Sequence, residues 1–167
     1  MRVVLLTGPP GAGKTTVLTA LMGLLEREDV RYAAVEVEAL ALVHPWPDDD
    51  AAFAHLAFVA GSFRQRGYPL LLVTATVEDT GYLRRLLAAL PSEDLLFVRL
   101  DAPPGVLRER LMRREPGDWV GLPRLLEAAG ALATSIAALP GVDLVLNTVD
   151  AEPSALADAV WDAVRAK

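Results

Sequence analysis

The sequence predicts one α/β domain built on a parallel sheet. Three observations carry that reading. Short apolar runs alternate with stretches of helical periodicity along the whole chain, several runs are almost continuously apolar, and a glycine-rich turn separates the first run from the first helix. Strands that alternate with helices pair in parallel through right-handed crossovers, with helices on both faces.

The elements follow in order. Arg2–Thr7 is a β-branched run stopped by Gly8-Pro9-Pro10-Gly11 and reads as a buried strand. From about Lys14 to Glu28, residues Val17, Leu18, Leu21, Met22, Leu24 and Leu25 recur at helical spacing. Arg31–Val37 is a second strand. A helix over about Asp50–Arg66 carries Phe53, Leu56, Ala57, Ala60 and Phe63 on one side, with Asp50 at the N-cap and Gly67-Tyr68-Pro69 as the stop. Leu70–Val77 is a third strand. Thr80–Leu90 is a helix ended by Pro91, Asp94–Leu100 a fourth strand and Pro104–Arg114 a helix. A break with Pro116, Gly117 and Gly121 precedes a helix over Pro123–Ala138. Asp143–Leu146 is a short fifth strand, and Ser154–Ala166 closes the chain as a helix.

Composition narrows the chemistry. The 167 residues include no cysteine, so disulfide scaffolds, cysteine zinc sites and thiol nucleophiles are excluded, and His44 and His55 are the two histidines. A net charge of −6 argues against a general nucleic-acid binder, which needs a basic face. The longest uncharged run, Ala128–Val142, is too short and too broken to span a bilayer. With a motif beginning at Gly8, the expectation is no leader ahead of the fold and a cytoplasmic protein, monomeric or homodimeric, with no membrane or nucleic-acid partner.

Of the 16 basic residues only Lys14 and Lys167 are lysines, and Lys14 lies inside the glycine-rich loop. Gly8-Pro9-Pro10-Gly11-Ala12-Gly13-Lys14-Thr15 matches G-x-x-x-x-G-K-[ST] throughout, between a strand and an amphipathic helix. Glycines let the backbone turn its N–H groups toward phosphate oxygens, and the helix adds its N-terminal donors. Gly8, Gly11, Ala12, Gly13, Lys14, Thr15 and Thr16 are therefore expected to bind a nucleoside triphosphate, with Lys14 on the β/γ-phosphates and Thr15 on Mg²⁺.

With that motif in place, the chain resembles the small P-loop kinase group: shikimate and gluconate kinases, chloramphenicol phosphotransferase, and nucleoside or nucleotide kinases. The resemblance runs from RVVLLTGPPGAGKTT through LLFVRLDAPPGVLRERLMRRE to VDLVLNTVDAEPSALADAV. It implies a single P-loop NTPase domain over residues 1–167, with a five-stranded parallel sheet in the order 2-3-1-4-5, helices on both faces and a short arginine-rich lid. It also implies ATP and Mg²⁺ as cofactors and an acid at the end of the second strand facing the acceptor.

Glu36 and Glu38 are two apart, which on a strand places both on one face. Similarity to chloramphenicol phosphotransferase, with an acid just before a leucine, selects Glu38 as the catalytic base, leaving Glu36 for the Mg²⁺ shell or a lid arginine. The third strand departs from the pattern: Thr74-Ala75-Thr76 stands where many P-loop enzymes carry an aspartate, as in gluconate kinases. The second metal contact is thus open among Glu36, Glu38 and Asp79, with Glu36 the first choice.

Arg108, Arg110, Arg113 and Arg114 crowd one stretch before the Pro116–Gly121 break, and such crowding is relieved by anions. Arg110 and Arg114 are the expected catalytic contacts, Arg110 also contacts the nucleotide, and Arg124 is a further candidate. Asn147-Thr148-Val149-Asp150 resembles the guanine-reading N-K-x-D only by chance, because Thr148 replaces the lysine. The acceptor is expected near Leu42, His44, Trp46, Asp48, Phe53 and His55, with Trp46 between Pro45 and Pro47 as a wall. Trp119 could close on the substrate, and Trp161 reads as core.

The reading is γ-phosphoryl transfer from ATP to a hydroxyl of a small, sugar- or antibiotic-like molecule. A nucleoside or nucleotide kinase is one alternative, although no arginine lies between Glu38 and Arg64. A nucleotide-binding regulator with slow ATPase activity is the other.

Overall fold

The computed structural model describes residues 1–42, 44, 49–90 and 94–167. The strands are β1 (Arg2–Thr7), β2 (Tyr32–Glu36), β3 (Leu70–Ala75), β4 (Asp94–Asp101) and β5 (Leu144–Asn147). The helices are α1 (Lys14–Arg27), α2 (Asp49–Gln65), α3 (Thr80–Ala88), α4 (Pro104–Arg114), α5 (Leu122–Ala137) and α6 (Pro153–Ala166). The strands form one sheet in the order β2-β3-β1-β4-β5, and every adjacent pair is parallel. This is the expected P-loop kinase-like fold.

β1 lies at the centre, with Leu5 opposite both Val73 and Phe97. Its alternating side chains feed two cores. Val3 and Leu5 join Phe53, Leu56 and Ala60 of α2, Leu83 and Leu86 of α3 and Ile136 of α5. Val4 and Leu6 join Leu18, Leu21 and Leu25 of α1 and Ala157, Val160 and Val164 of α6. Burial on both faces is what the near-continuous apolar runs of β1 and β3 require. Each fully buried leucine or phenylalanine contributes roughly 1.5–3 kcal/mol.

Several boundaries differ from expectation. β2 ends at Glu36, and Val37–Ala41 coils into a 3-10 helix, so Glu36 and Glu38 do not share a strand face. Beyond the last β2–β3 pair, Glu36 with Thr74, the Glu38 carboxylate rather than a strand carbonyl accepts from the Thr76 N–H. β3 likewise stops at Ala75 and α3 at Ala88. Asp50 lies within α2 and meets Arg85 at 3.4 Å rather than capping the helix. The expected stop at Pro91 lies outside the described residues. Trp161 is half-buried, and its indole N–H donates to Glu28 Oε2 at 2.7 Å.

The Tyr32 hydroxyl at the start of β2 donates to Glu26 Oε1 of α1 at 2.6 Å. Burial first, and then the Glu26 hydrogen bond and charge, push the phenol from 10.0 up to about 12. Because the folded value exceeds the unfolded one, this stabilisation is complete below pH 10.0 and disappears as pH rises toward about 12. Denaturant midpoints of Tyr32→Phe and the parent should therefore differ at neutral pH and converge over that window.

Candidate active site

The chain leaves β1 to reach α1 and then β2 on one side, whereas β4 lies on the other side of β1. Ligands in open parallel sheets bind at such reversals, outside the carboxyl ends of the strands. Here the end of β1 runs into the glycine-rich loop, β2 delivers Glu36, the 3-10 turn delivers Glu38, β3 leads to Thr76 and β5 to Thr148. A cavity of about 840 Å³ gathers these residues with Arg110, Arg113 and Arg114 of α4.

The loop's glycines have identifiable tasks. A Cβ on Gly8 would sit 2.7 Å from the Leu100 carbonyl oxygen, so β4 passes too close for any side chain. Gly13 stands ahead of α1 at φ 96°, a left-handed conformation that L side chains rarely adopt. Its carbonyl accepts from the Val17 N–H at 2.9 Å, and α1 starts at Lys14 with its free N-terminal donors at the cavity.

Lys14 Nζ donates to the Gly8 carbonyl at 2.8 Å and to Thr76 Oγ1 at 2.9 Å. Burial pulls its pKa below the ordinary lysine value; the negative charge of Glu38 opposes that, Arg114 adds to it, and Glu36 opposes it. Thr15 Oγ1 donates to Glu36 Oε2 at 2.8 Å. Glu38 Oε1 accepts from the Thr76 N–H at 2.6 Å. One end of the cavity therefore holds a half-buried cation in the field of two carboxylates.

On the other side, Arg110 donates to Thr148 Oγ1 at 2.9 Å, to the Thr148 carbonyl at 2.7 Å and to the Gly11 carbonyl at 3.3 Å. Thr148 is held in turn, its N–H donating to the Asp101 carbonyl at 2.9 Å. Leu125, Ala151, Pro153 and Leu156 give this side an apolar lining. Arg114 donates to Glu115 Oε1 at 2.6 Å.

Most residues expected at a phosphate site are thus brought together: Gly11 through Thr16, Glu36, Glu38, Arg110 and Arg114 all line the cavity, and Gly8 contributes its carbonyl to Lys14. Arg110, expected at the transferring phosphate, has its guanidinium engaged by the Thr148 loop. Arg124 is exposed and does not line the cavity.

The expected acceptor residues fare differently. Phe53 is buried in the core, edge-on to Tyr82 at 5.0 Å, and His55 Nδ1 lies 2.9 Å from the Leu40 carbonyl. Neither lines the cavity, nor do the exposed Leu42 and His44. Trp46 and Asp48 lie outside the described residues. Asp79 caps α3 by accepting from the Tyr82 N–H at 2.8 Å and does not line the cavity. Trp119 is half-exposed beside Gly121 in the segment joining α4 to α5.

Two polar cavity residues gained no role from the sequence, Thr76 and Thr148. Each directly follows a strand's carboxyl end, and that position was the available signal. Asn147 Oδ1 accepts from the Val149 N–H at 2.9 Å, so the Asn-Thr-Val-Asp loop closes on itself.

The residues present suit a divalent cation beside phosphates. The Thr15 hydroxyl and Glu36 carboxylate stand together at the cavity edge, both oxygen donors. Thr74 Oγ1, paired across the sheet with Glu36, is buried without a hydrogen-bond partner. Among the described residues no cluster of three acidic or histidine side chains forms a metal site of its own, so the ligand's phosphates would have to complete the shell.

A family model described as an AAA domain matches residues 3–120. A protein of Dinoroseobacter shibae named as a nucleotide-binding protein is 35% identical over 118 residues, which is 69% of this chain. The chain spans only about a third of that relative's length, 35%. Among solved structures, a sugar kinase from Janibacter sp. HTCC2649 is 21% identical with a TM-score of 0.65, covering 99% of this chain and 95% of its own. The APS kinase of Mycobacterium tuberculosis, solved with AMPPNP and APS, is 18% identical with a TM-score of 0.68, covering 98% and 97%. At such identities the likeness is one of fold.

Gly8→Ala forces the Leu100 strand or the loop to shift, because the obstructing atom is backbone. The expected cost is roughly 1–3 kcal/mol. It should appear as a melting temperature lowered by several degrees and as weakened binding of a nucleotide analogue in calorimetry.

Proposed function

The chain belongs to the AAA-domain family, and from that premise we propose that it is a kinase, moving the γ-phosphoryl group of ATP, with Mg²⁺, to a hydroxyl of a small molecule. The observation that carries this reading is a cavity lined by a half-buried lysine, two carboxylates and three arginines of one helix.

Each residue then has a task. The loop N–H groups and Lys14 hold the β- and γ-phosphates, and the apolar lining from Ala151 to Leu156 suits a base, with Arg110 alongside it. Thr15 and Glu36 would hold the metal, which when bound neutralises charge on the phosphates. Glu38 orients the acceptor hydroxyl and takes its proton as the oxygen bonds to the γ-phosphorus and the bond to the ADP oxygen breaks. Arg113 and Arg114 stabilise charge on the phosphoryl group in transfer. The segment after α4 acts as the lid, and the protein works in the cytoplasm.

The deciding experiment measures ADP release from Mg-ATP across sugars, nucleosides, aminoglycosides and phenolic or macrolide compounds. Acceptor-dependent release is expected in some wells. Glu38→Gln keeps an oxygen for the Thr76 N–H, so it should bind nucleotide as the parent does yet lose at least about a hundredfold in turnover. Lys14→Ala should lose nucleotide binding with an unchanged circular-dichroism spectrum. Flat release in every well, indifferent to Glu38→Gln, would point instead to a nucleotide-binding regulator.

A further inference from the structure

Thr76 touches both groups on which the proposed chemistry turns. Its backbone N–H donates to Glu38 Oε1 at 2.6 Å, and its hydroxyl oxygen accepts from Lys14 Nζ at 2.9 Å. It stands immediately beyond β3, at the cavity wall. A lysine ammonium has three donors. Two are taken here, by Gly8 and Thr76, which leaves one for a phosphate oxygen. A hydroxyl that accepts from lysine retains its own proton, free to donate into the cavity.

We propose that Thr76 is the positioning residue of this site, fixing the Lys14 ammonium and the Glu38 carboxylate relative to one another through a single residue. The same arrangement accounts for the missing acid at the end of β3. Glu36 and Glu38 already bring two carboxylates to Lys14, and a third beside them would crowd like charges in a partly desolvated space. A neutral hydroxyl accepts from the lysine without that repulsion. The link to Lys14 stands independently of the kinase reading; the consequence for turnover rests on it.

The scarcity of lysine makes the test direct. Lys14 and Lys167 are the two lysines, so NMR of the lysine ε-CH2 groups at one neutral pH resolves them, with Lys167 as an internal control. Thr76→Val removes the hydroxyl and keeps the N–H, and Thr76→Ala is a second hydroxyl-free variant should valine perturb the fold. Losing the acceptor frees the Lys14 ammonium to reorient, so the Lys14 ε-CH2 resonances should shift and lose their inequivalence. Thr76→Ser should restore the parental spectrum, and Lys167 should not move. Lys14 resonances identical in parent, Val and Ala variants would overturn the proposal.

With an acceptor in hand, Thr76→Val should lower kcat by roughly tenfold with a smaller change in the nucleotide KM, and serine should recover most of it. A parental kcat in Thr76→Val would overturn the positioning role in transfer. Absence of acceptor-dependent turnover in the parent would overturn the kinase reading instead, and the Lys14 resonances would then judge the Thr76–Lys14 link alone.

Discussion

Lys14 carries its ammonium group into the end of a parallel sheet, and its surroundings must replace the water it gives up there. The Gly8 carbonyl and the Thr76 hydroxyl accept two of its protons, and Glu36 and Glu38 supply opposing charge nearby. Even a half-buried cation without such partners would be destabilised in its charged form. That one requirement explains why a short turn of helix, a strand end and a glycine-rich loop meet at this point. It also means that the cavity is arranged to receive an anion, since Lys14 and the start of α1 both line it.

The sheet order makes the meeting possible. With β1 between β3 and β4, the loop that follows it opens beside the ends of both neighbours. The close approach of Gly8 to Leu100 seats the loop on β4, and the Arg110–Thr148 bonds tie α4 to the end of β5. The phosphate end and the apolar end of the cavity are thereby held by different strands of one rigid sheet. Precision of this kind suits a reaction that depends on placing two reactants in line.

Much of this was legible in the residue string. Five apolar runs, all six helices of the described residues to within two residues at their ends, and every member of the phosphate loop follow from periodicity and from glycine chemistry. The acceptor side was not legible. Phe53 reads equally well as a pocket wall or as core, and only the T-shaped contact with Tyr82 decides for the core. Glu36 and Glu38 looked like one strand face, whereas Glu38 lies in a 3-10 turn and the Thr76 N–H just beyond β3 captures it.

Local information by itself determined the strand–loop–helix unit around Lys14, because hydrophobic period, left-handed glycine positions and helix start are all properties of neighbouring residues. Tertiary structure alone decided the partners of that unit. Thr76 lies 62 residues from Lys14 and 38 from Glu38, and Thr148 lies 38 from Arg110. Such pairings depend on how strands order themselves in the sheet, where each hydrogen bond competes among many chemically similar donors and acceptors. No local pattern ranks those choices; the packing of two apolar faces does.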